Sequence, residues 1–251
     1  MATFGRSDDL KAAEFVGVDL SGARFVESDL SGVVMRGVEV ARTDIDAPWL
    51  GEGEFFRING VDVISFVEAE LNRRFPGRAD RQAGDPDGLR AAWRLLQSTW
   101  AVTLERAAAM PAGMVDVSVD GEWSFAQTLR HLVHATDMWL GKAVLEIEQP
   151  FHPIGQPDRD IEADGVDGSE STTDRPSYDE VLEVRAGRVA MVSDFIATVT
   201  PEVLAETRRN PHAPDHAETV LSCLHVILEE EWEHHRFAVR DLDAIEAGSD
   251  A

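Results

Sequence analysis

Leu224-His-Val-Ile-Leu-Glu-Glu-Glu-Trp-Glu-His-His-Arg-Phe-Ala-Val-Arg-Asp-Leu242 reads as one amphipathic helix, and its phase decides how the C-terminal two thirds of the chain folds. At about 100° per residue, Leu224, Leu228, Val239 and Leu242 fall within roughly 20 to 40° of His235, while Glu229, Glu233, Arg236 and Arg240 take the opposite face. Two polar residues interrupt the apolar line, since Glu231 lies one turn from His235 and about 40° away. A carboxylate there costs several kcal/mol if uncompensated, or takes up a proton. On spacing alone two partners satisfy the pair. A divalent metal does so because Glu and His four residues apart point the same way and both ligate zinc-like ions. A Glu–His hydrogen bond closing a polar defect in the core does so equally.

Three more helical patterns precede it. The first runs over residues 88 to 109 with Leu89, Trp93, Leu96, Trp100 and Leu104 on one face. The second opens at the capping box Ser124-Phe-Ala-Gln127 and carries Phe125, Leu129, Leu132 and Trp139; the third opens at Ser177-Tyr-Asp-Glu180 and carries Val181, Val192, Phe195 and Val199. The last is expected to start at Asp215-His-Ala-Glu218 and end near Ile245. These lengths predict a four-helix bundle. The link from Glu148 to Pro176 far exceeds a tight hairpin, and residues 164–173 within it read as a flexible surface loop. Such a link can cross the bundle, which predicts up-down-down-up order. Within it, Pro150-Phe-His-Pro-Ile-Gly155 looks ordered, and His152 reads as a surface turn residue or one lying over an end of the bundle.

Helix phase also ranks the histidines. The apolar arc of the second helix centres near Leu129 and Leu132, which puts His131 at its edge beside Ala135 and turns His134 toward solvent. On the last helix His234 fails the same test, and His225 reads as a packing residue on the flank.

The N-terminal third follows a different period. Phe15, Leu20, Phe25, Leu30, Met35, Val40 and Ile45 recur at every fifth position, and Ala13, Val18, Ala23, Ser28, Val33, Val38 and Thr43 stand two residues before them. Two inward positions per five residues fit a square solenoid coil rather than a helix or a strand. Val18-Asp-Leu-Ser-Gly22 and Ser28-Asp-Leu-Ser-Gly32 resemble the pentapeptide-repeat family, which implies a right-handed quadrilateral β-helix. Seven units make fewer than two coils, so a cap is expected. Glu54 to Ile64, with Asn59-Gly60 as its turn, predicts a hairpin, and Ser65-Phe-Val-Glu68 predicts a capping box opening a helix that stops before Pro76. Residues 76–87 are poor in apolar side chains and rich in breakers, which places a boundary between a repeat segment with its cap, 1–84, and the bundle, 85–251.

Composition narrows the function. The 251 residues are 43% apolar and 28% charged, an ordinary globular balance, and the formal charge of −24 argues against binding nucleic acid or anionic membranes. The start Met-Ala-Thr-Phe-Gly-Arg lacks an apolar leader and no apolar run approaches about 20 residues, so a cytoplasmic protein is expected. Lys11 and Lys142 are the only lysines, an arginine bias that points to a GC-rich genome. The lone Cys223 reads as a packing residue.

Ser124-Phe-Ala-Gln-Thr-Leu-Arg-His131-Leu-Val-His-Ala-Thr-Asp-Met-Trp139, taken with Glu231-Trp-Glu-His-His235-Arg236, resembles the DinB superfamily of metal-binding four-helix bundles. That resemblance implies one ligand on the second helix and two, four residues apart, on the last: His131, Glu231 and His235. A glutamate at position 231 looks like the branch of mycothiol-dependent maleylpyruvate isomerase. The expected cofactor is a divalent metal, zinc first, with nickel, iron and manganese as alternatives. Three protein ligands leave an open position for a thiol, and metal coordination makes a thiol nucleophilic near neutral pH. The expected reaction is therefore activation of a low-molecular-weight thiol, mycothiol by resemblance, for transfer to or isomerisation of a small electrophile. Arg185, Arg188 or Arg130 would bind an acidic cosubstrate, or else are ordinary solvated arginines. His134, His152 and His234 would surround the site. A second expectation is hydrolysis by bound water, with Glu230 or His234 carrying protons. A third is a non-catalytic interaction protein acting through the acidic repeat surface, and the repeats are also candidates for homodimerisation or docking.

Overall fold

The computed structural model describes residues 3–5, 8–26, 28–157 and 176–249. The expected flexible loop 164–173 lies outside them. Two compact units divide the chain, residues 1–46 and 47–251.

In the first unit the repeat is visible as turns. Backbone hydrogen bonds close a turn every ten residues, from Ala13 to Leu10, Ala23 to Leu20, Val33 to Leu30 and Thr43 to Val40. The third residue of each, Ala12, Gly22, Gly32 or Arg42, has positive φ, as a type II turn requires. Asp19 and Asp29 fix two of these turns by accepting the N–H of Ser21 and Ser31. The expected quadrilateral β-helix is not seen. The described residues of this unit form no strand, and the every-fifth side chains stay exposed, Phe15 at 56% and Phe25 at 62%. With no closed coil, no neighbouring layer covers the apolar ladder.

The second unit begins with a minimal hairpin, β1 (Arg57–Ile58) and β2 (Val61–Asp62), paired antiparallel across Asn59-Gly60. Helix α1 follows (Ile64–Arg74). It starts one residue before the expected capping box, and no side chain caps it. Glu68 turns away to the guanidinium groups of Arg78 and Arg81 in a 3-10 turn, Arg78–Gln82. Those arginines also reach the last helix through Glu233 and Glu229. The hairpin and α1, expected to close the repeats, thus belong to the helical unit, and the division falls at residue 46 rather than 84.

Helix α2 (Pro86–Ala109) is capped by Asp85. Helix α3 (Phe125–Thr136) has the predicted reciprocal Ser124/Gln127 box and runs directly into a π-helical segment, Asp137–Val144. Helix α4 (Tyr178–Thr198) has the Ser177/Glu180 box. A short helix α5 (Pro201–Leu204) leads to a hairpin, β3 (Thr207–Arg209) and β4 (Ala217–Thr219), before α6 (Val220–Ser249). The last helix therefore starts five residues after the expected Asp215, because 217–219 pair as a strand. Both α2 and α3 pack on α4 and α6. The pairs α2/α3 and α4/α6 therefore sit across the diagonals, while α3 and α4 are neighbours. Leu89, Trp93, Leu96, Trp100, Leu129, Leu132, Val181, Val192, Leu224, Leu228 and Leu242 fill the core, as their periodicity requires.

Candidate metal centre

Helix α6 carries two Glu/His pairs in adjacent phases, Glu230/His234 and Glu231/His235. Both members of the second pair are buried, as the apolar line demands, and each has a partner of its own. Glu231 forms an ion pair with Arg185 of α4. Burial raises its carboxyl pKa against the pull of that guanidinium. His235 places Nε2 2.8 Å from the Thr103 hydroxyl and lies edge-on to Trp100, Trp232 and Phe75. Burial lowers its pKa to about 4. The expected set His131, Glu231 and His235 is therefore not brought together. Its two α6 members face the core, where an arginine pairs with one oxygen of Glu231 and a hydroxyl with Nε2 of His235, while Oε2 of Glu231 and Nδ1 of His235 have no hydrogen-bond partner among the described residues.

The neighbouring pair meets His131 instead. His131, Glu230 and His234 each offer one ligand atom, and these atoms lie within 4.8 Å of one another. Nε2 of His131 is 3.3 Å from Oε2 of Glu230. Two ligands each about 2.0–2.1 Å from a tetrahedral ion are themselves roughly 3.3 Å apart. The protonation pattern also suits a cation. Nδ1 of His131 is 3.1 Å from the Gln156 carbonyl, which can only accept, so Nδ1 carries the hydrogen and a neutral ring turns its Nε2 lone pair toward Glu230. Nδ1 of His234 likewise meets the Glu230 carbonyl at 2.9 Å. Two acceptors facing each other at His131 and Glu230 need a proton or a cation between them. Burial opposes charge on Glu230, but with the shared proton on the imidazole side the contacts to His131 and His234 outweigh it and hold the carboxyl below its ordinary range. The donor set, two imidazoles and one carboxylate, is one that zinc accepts.

The surroundings are built by two devices. The chain from Pro150 to Gln156 folds back on α3. Asp137 accepts the His152 N–H at 2.9 Å, Arg130 donates to the Ile154 carbonyl at 2.8 Å, and Gln156 donates to the Arg130 carbonyl at 3.1 Å. This collar delivers the carbonyl that orients His131. Trp123, just before the Ser124 cap, lies over both imidazoles, with ring centroids 4.7 Å from His131 and 6.1 Å from His234. It walls one side of the site.

The other expected residues have structural places. His134 is buried, stacked 5.0 Å from Phe151, where solvent exposure was expected; the collar covers that side of α3. Burial and the neighbouring His131 lower its pKa to about 4, and its Nε2 has no hydrogen-bond partner among the described residues. His152 is a turn residue whose Nδ1 accepts the Ile154 N–H. Arg185 and Arg188 are committed to Glu231 and Asp137, so neither is a solvated arginine. His225 is the packing residue expected, its Nε2 2.9 Å from the Ala83 carbonyl.

A partly buried cluster of two histidines and a glutamate between two packed helices is one that could hold a metal ion. The family model of the DinB superfamily matches residues 95–238, more than half of the chain, and that of pentapeptide repeats matches residues 9–46 in eight copies. The protein belongs to the DinB superfamily and carries an N-terminal pentapeptide-repeat segment. The eighth copy extends the register back to Leu10. No curated protein and no solved structure matches the chain. Among the described residues no helix is long and apolar enough to cross a membrane.

Proposed function

We propose that this protein is a metal-dependent enzyme in which His131, Glu230 and His234 hold a divalent ion, zinc first, and that it activates a low-molecular-weight thiol for transfer to or isomerisation of a small electrophile. The observation that carries this reading is the convergence of the three ligand atoms at the margin of the core. A divalent ion held there would supply positive charge that lowers the pKa of an incoming thiol and presents it as thiolate. The chain's own residues do the rest. Gln156 fixes the His131 tautomer, and Glu230 stays ionised and offsets the ion's charge. The Trp123 indole keeps water from one side and offers an apolar surface to the electrophile. Mycothiol is the thiol that the glutamate-bearing branch of the family suggests.

Hydrolysis by bound water fits less well. Its two expected proton carriers, Glu230 and His234, are ligand candidates in this geometry. The up-down-down-up order of the helices belongs to the same reading, since the long link between α3 and α4 leaves room for the chain to run back along the bundle. So do a cytoplasmic location, the exclusion of nucleic acid and membranes as partners, and a docking or dimerising role for the repeats.

Elemental analysis of untagged protein tests the centre. Wild type should carry near-stoichiometric metal, and His131→Ala, Glu230→Gln and His234→Ala should each lose it. His235→Ala should keep the metal and lose stability instead. Equal metal retention by His234→Ala and wild type would sink the assignment. Turnover that requires added thiol separates thiol chemistry from hydrolysis.

A further inference from the structure

Four glutamates crowd one short stretch of α6, and they are held from three directions. Glu230 faces His131 and His234, and Glu231 faces Arg185. Glu229 and Glu233, expected on a solvated face, are instead buried under the 3-10 turn. Arg78, only 1% exposed, is the centre of that contact. Its Nε and Nη2 donate to Oε1 of Glu233 at 3.2 and 2.9 Å, while Nη1 donates to Glu68 at 3.0 Å and to Asn72 at 3.1 Å. Arg81 bridges Glu229 to the same Glu68. Glu229 and Glu233 immediately precede Glu230 and His234 in the chain.

We propose that Arg78 is a positioning residue for the metal centre, and that the clasp formed by residues 68–81 sets the rotational phase of α6 on which the ligands depend. This deepens the metal-centre reading and rests on it. Side-chain tips lie about 5–6 Å from a helix axis, so a rotation of roughly 20° moves them about 2 Å. Metal–ligand distances tolerate only about 0.2 Å. A helix carrying both Glu230/His234 and Glu231/His235 has a competing phase one residue away, and the clasp bonds are made only in the observed one. The fork of Arg78 matters here. It spans acceptors on α1 and α6 at once, which a lysine ammonium does with fewer, unfixed donors. Residues 68–81 lie outside the stretch matched by the DinB family model, 95–238.

Calorimetric titration of metal-free full-length protein with Zn(II), alongside Co(II) absorption spectra, tests this. Arg78→Met should weaken Zn(II) binding about tenfold or more and alter the Co(II) spectrum while helicity is retained, and Arg78→Lys should recover part of the loss. Glu233→Gln, which preserves volume, should also weaken binding. The double variant should lose less than the two single losses combined, because both act through one contact. Native helicity with wild-type affinity in Arg78→Met overturns the proposal. If that variant does not fold, wild-type affinity in folded Glu233→Gln does so. Wild type that binds no Zn(II) overturns the metal-centre reading itself, a distinct failure.

Discussion

Buried imidazoles give this protein a pH dependence that can be assigned to named residues. His235 and His134 both titrate near 4 in the fold, against an ordinary 6.5. In the metal-free protein both rings are neutral at pH 7 whether folded or not. As pH falls below 6.5 the unfolded chain takes up protons that the fold refuses, so stability declines from there down to about pH 4 and then levels. The shift corresponds to about 3 kcal/mol for His235. His235→Leu should flatten the fall in melting temperature between pH 6.5 and 4.5, leaving His134 to supply the remainder. Parallel curves for variant and wild type would refute the assignment. Phase arithmetic reads this scale well where a side chain's place is the centre of the apolar arc. It identified Glu231 and His235 as buried, and they are. It did not foresee their partners, because Arg185 and Thr103 are remote in sequence. A site that admits a ligand sits at the margin of the arc, and that criterion chose His131, which the fold places beside Glu230 and His234. Applied to α6 it favours His234 and Glu230, roughly 100 and 140° from His235.

Among the elements, the collar and the π-helical segment set the site more than any propensity does. Gly141 lies in that segment, where an added Cβ would come 2.8 Å from Cβ of Pro150, so only glycine lets the collar close on the helix. Gly141→Ala should push Pro150 outward, displace the Gln156 carbonyl from His131, and weaken metal binding about tenfold. The overpacking should cost about 1–3 kcal/mol of stability. Unchanged affinity would show that the collar does not orient the ligand. The capping boxes at Ser124 and Ser177 were legible because both halves of each lie within four residues. The equivalent signal at Ser65 misled, since Glu68 finds a stronger partner in the two arginines of the clasp. Asp215 misled for a similar reason: β4 forms beside β3, which no local pattern around Asp215 announces.

For the whole molecule, Cys223 offers a probe of cooperative unfolding. It is fully buried against α6's neighbours, and burial pushes its thiol up to about 11. A thiol reagent should not react with the native protein, and its reaction should rise with loss of helicity along a denaturant series. Reaction well before helicity falls would reveal separate opening of the unit that holds α6. By itself the sequence determined that a five-residue repeat precedes a helical part, since five-residue and 3.6-residue periods are local. It also determined the core faces of the four long helices. Only the tertiary structure decided which Glu/His pair of α6 meets His131, that residues 47–84 belong with the helices, and that Glu229 and Glu233 are buried. Each of those outcomes depends on a cation or a carbonyl brought from elsewhere in the chain, Arg185, Arg78, Arg81 and Gln156. Periodicity reports how apolar a face is, and it carries no information about the charges that will be set against it.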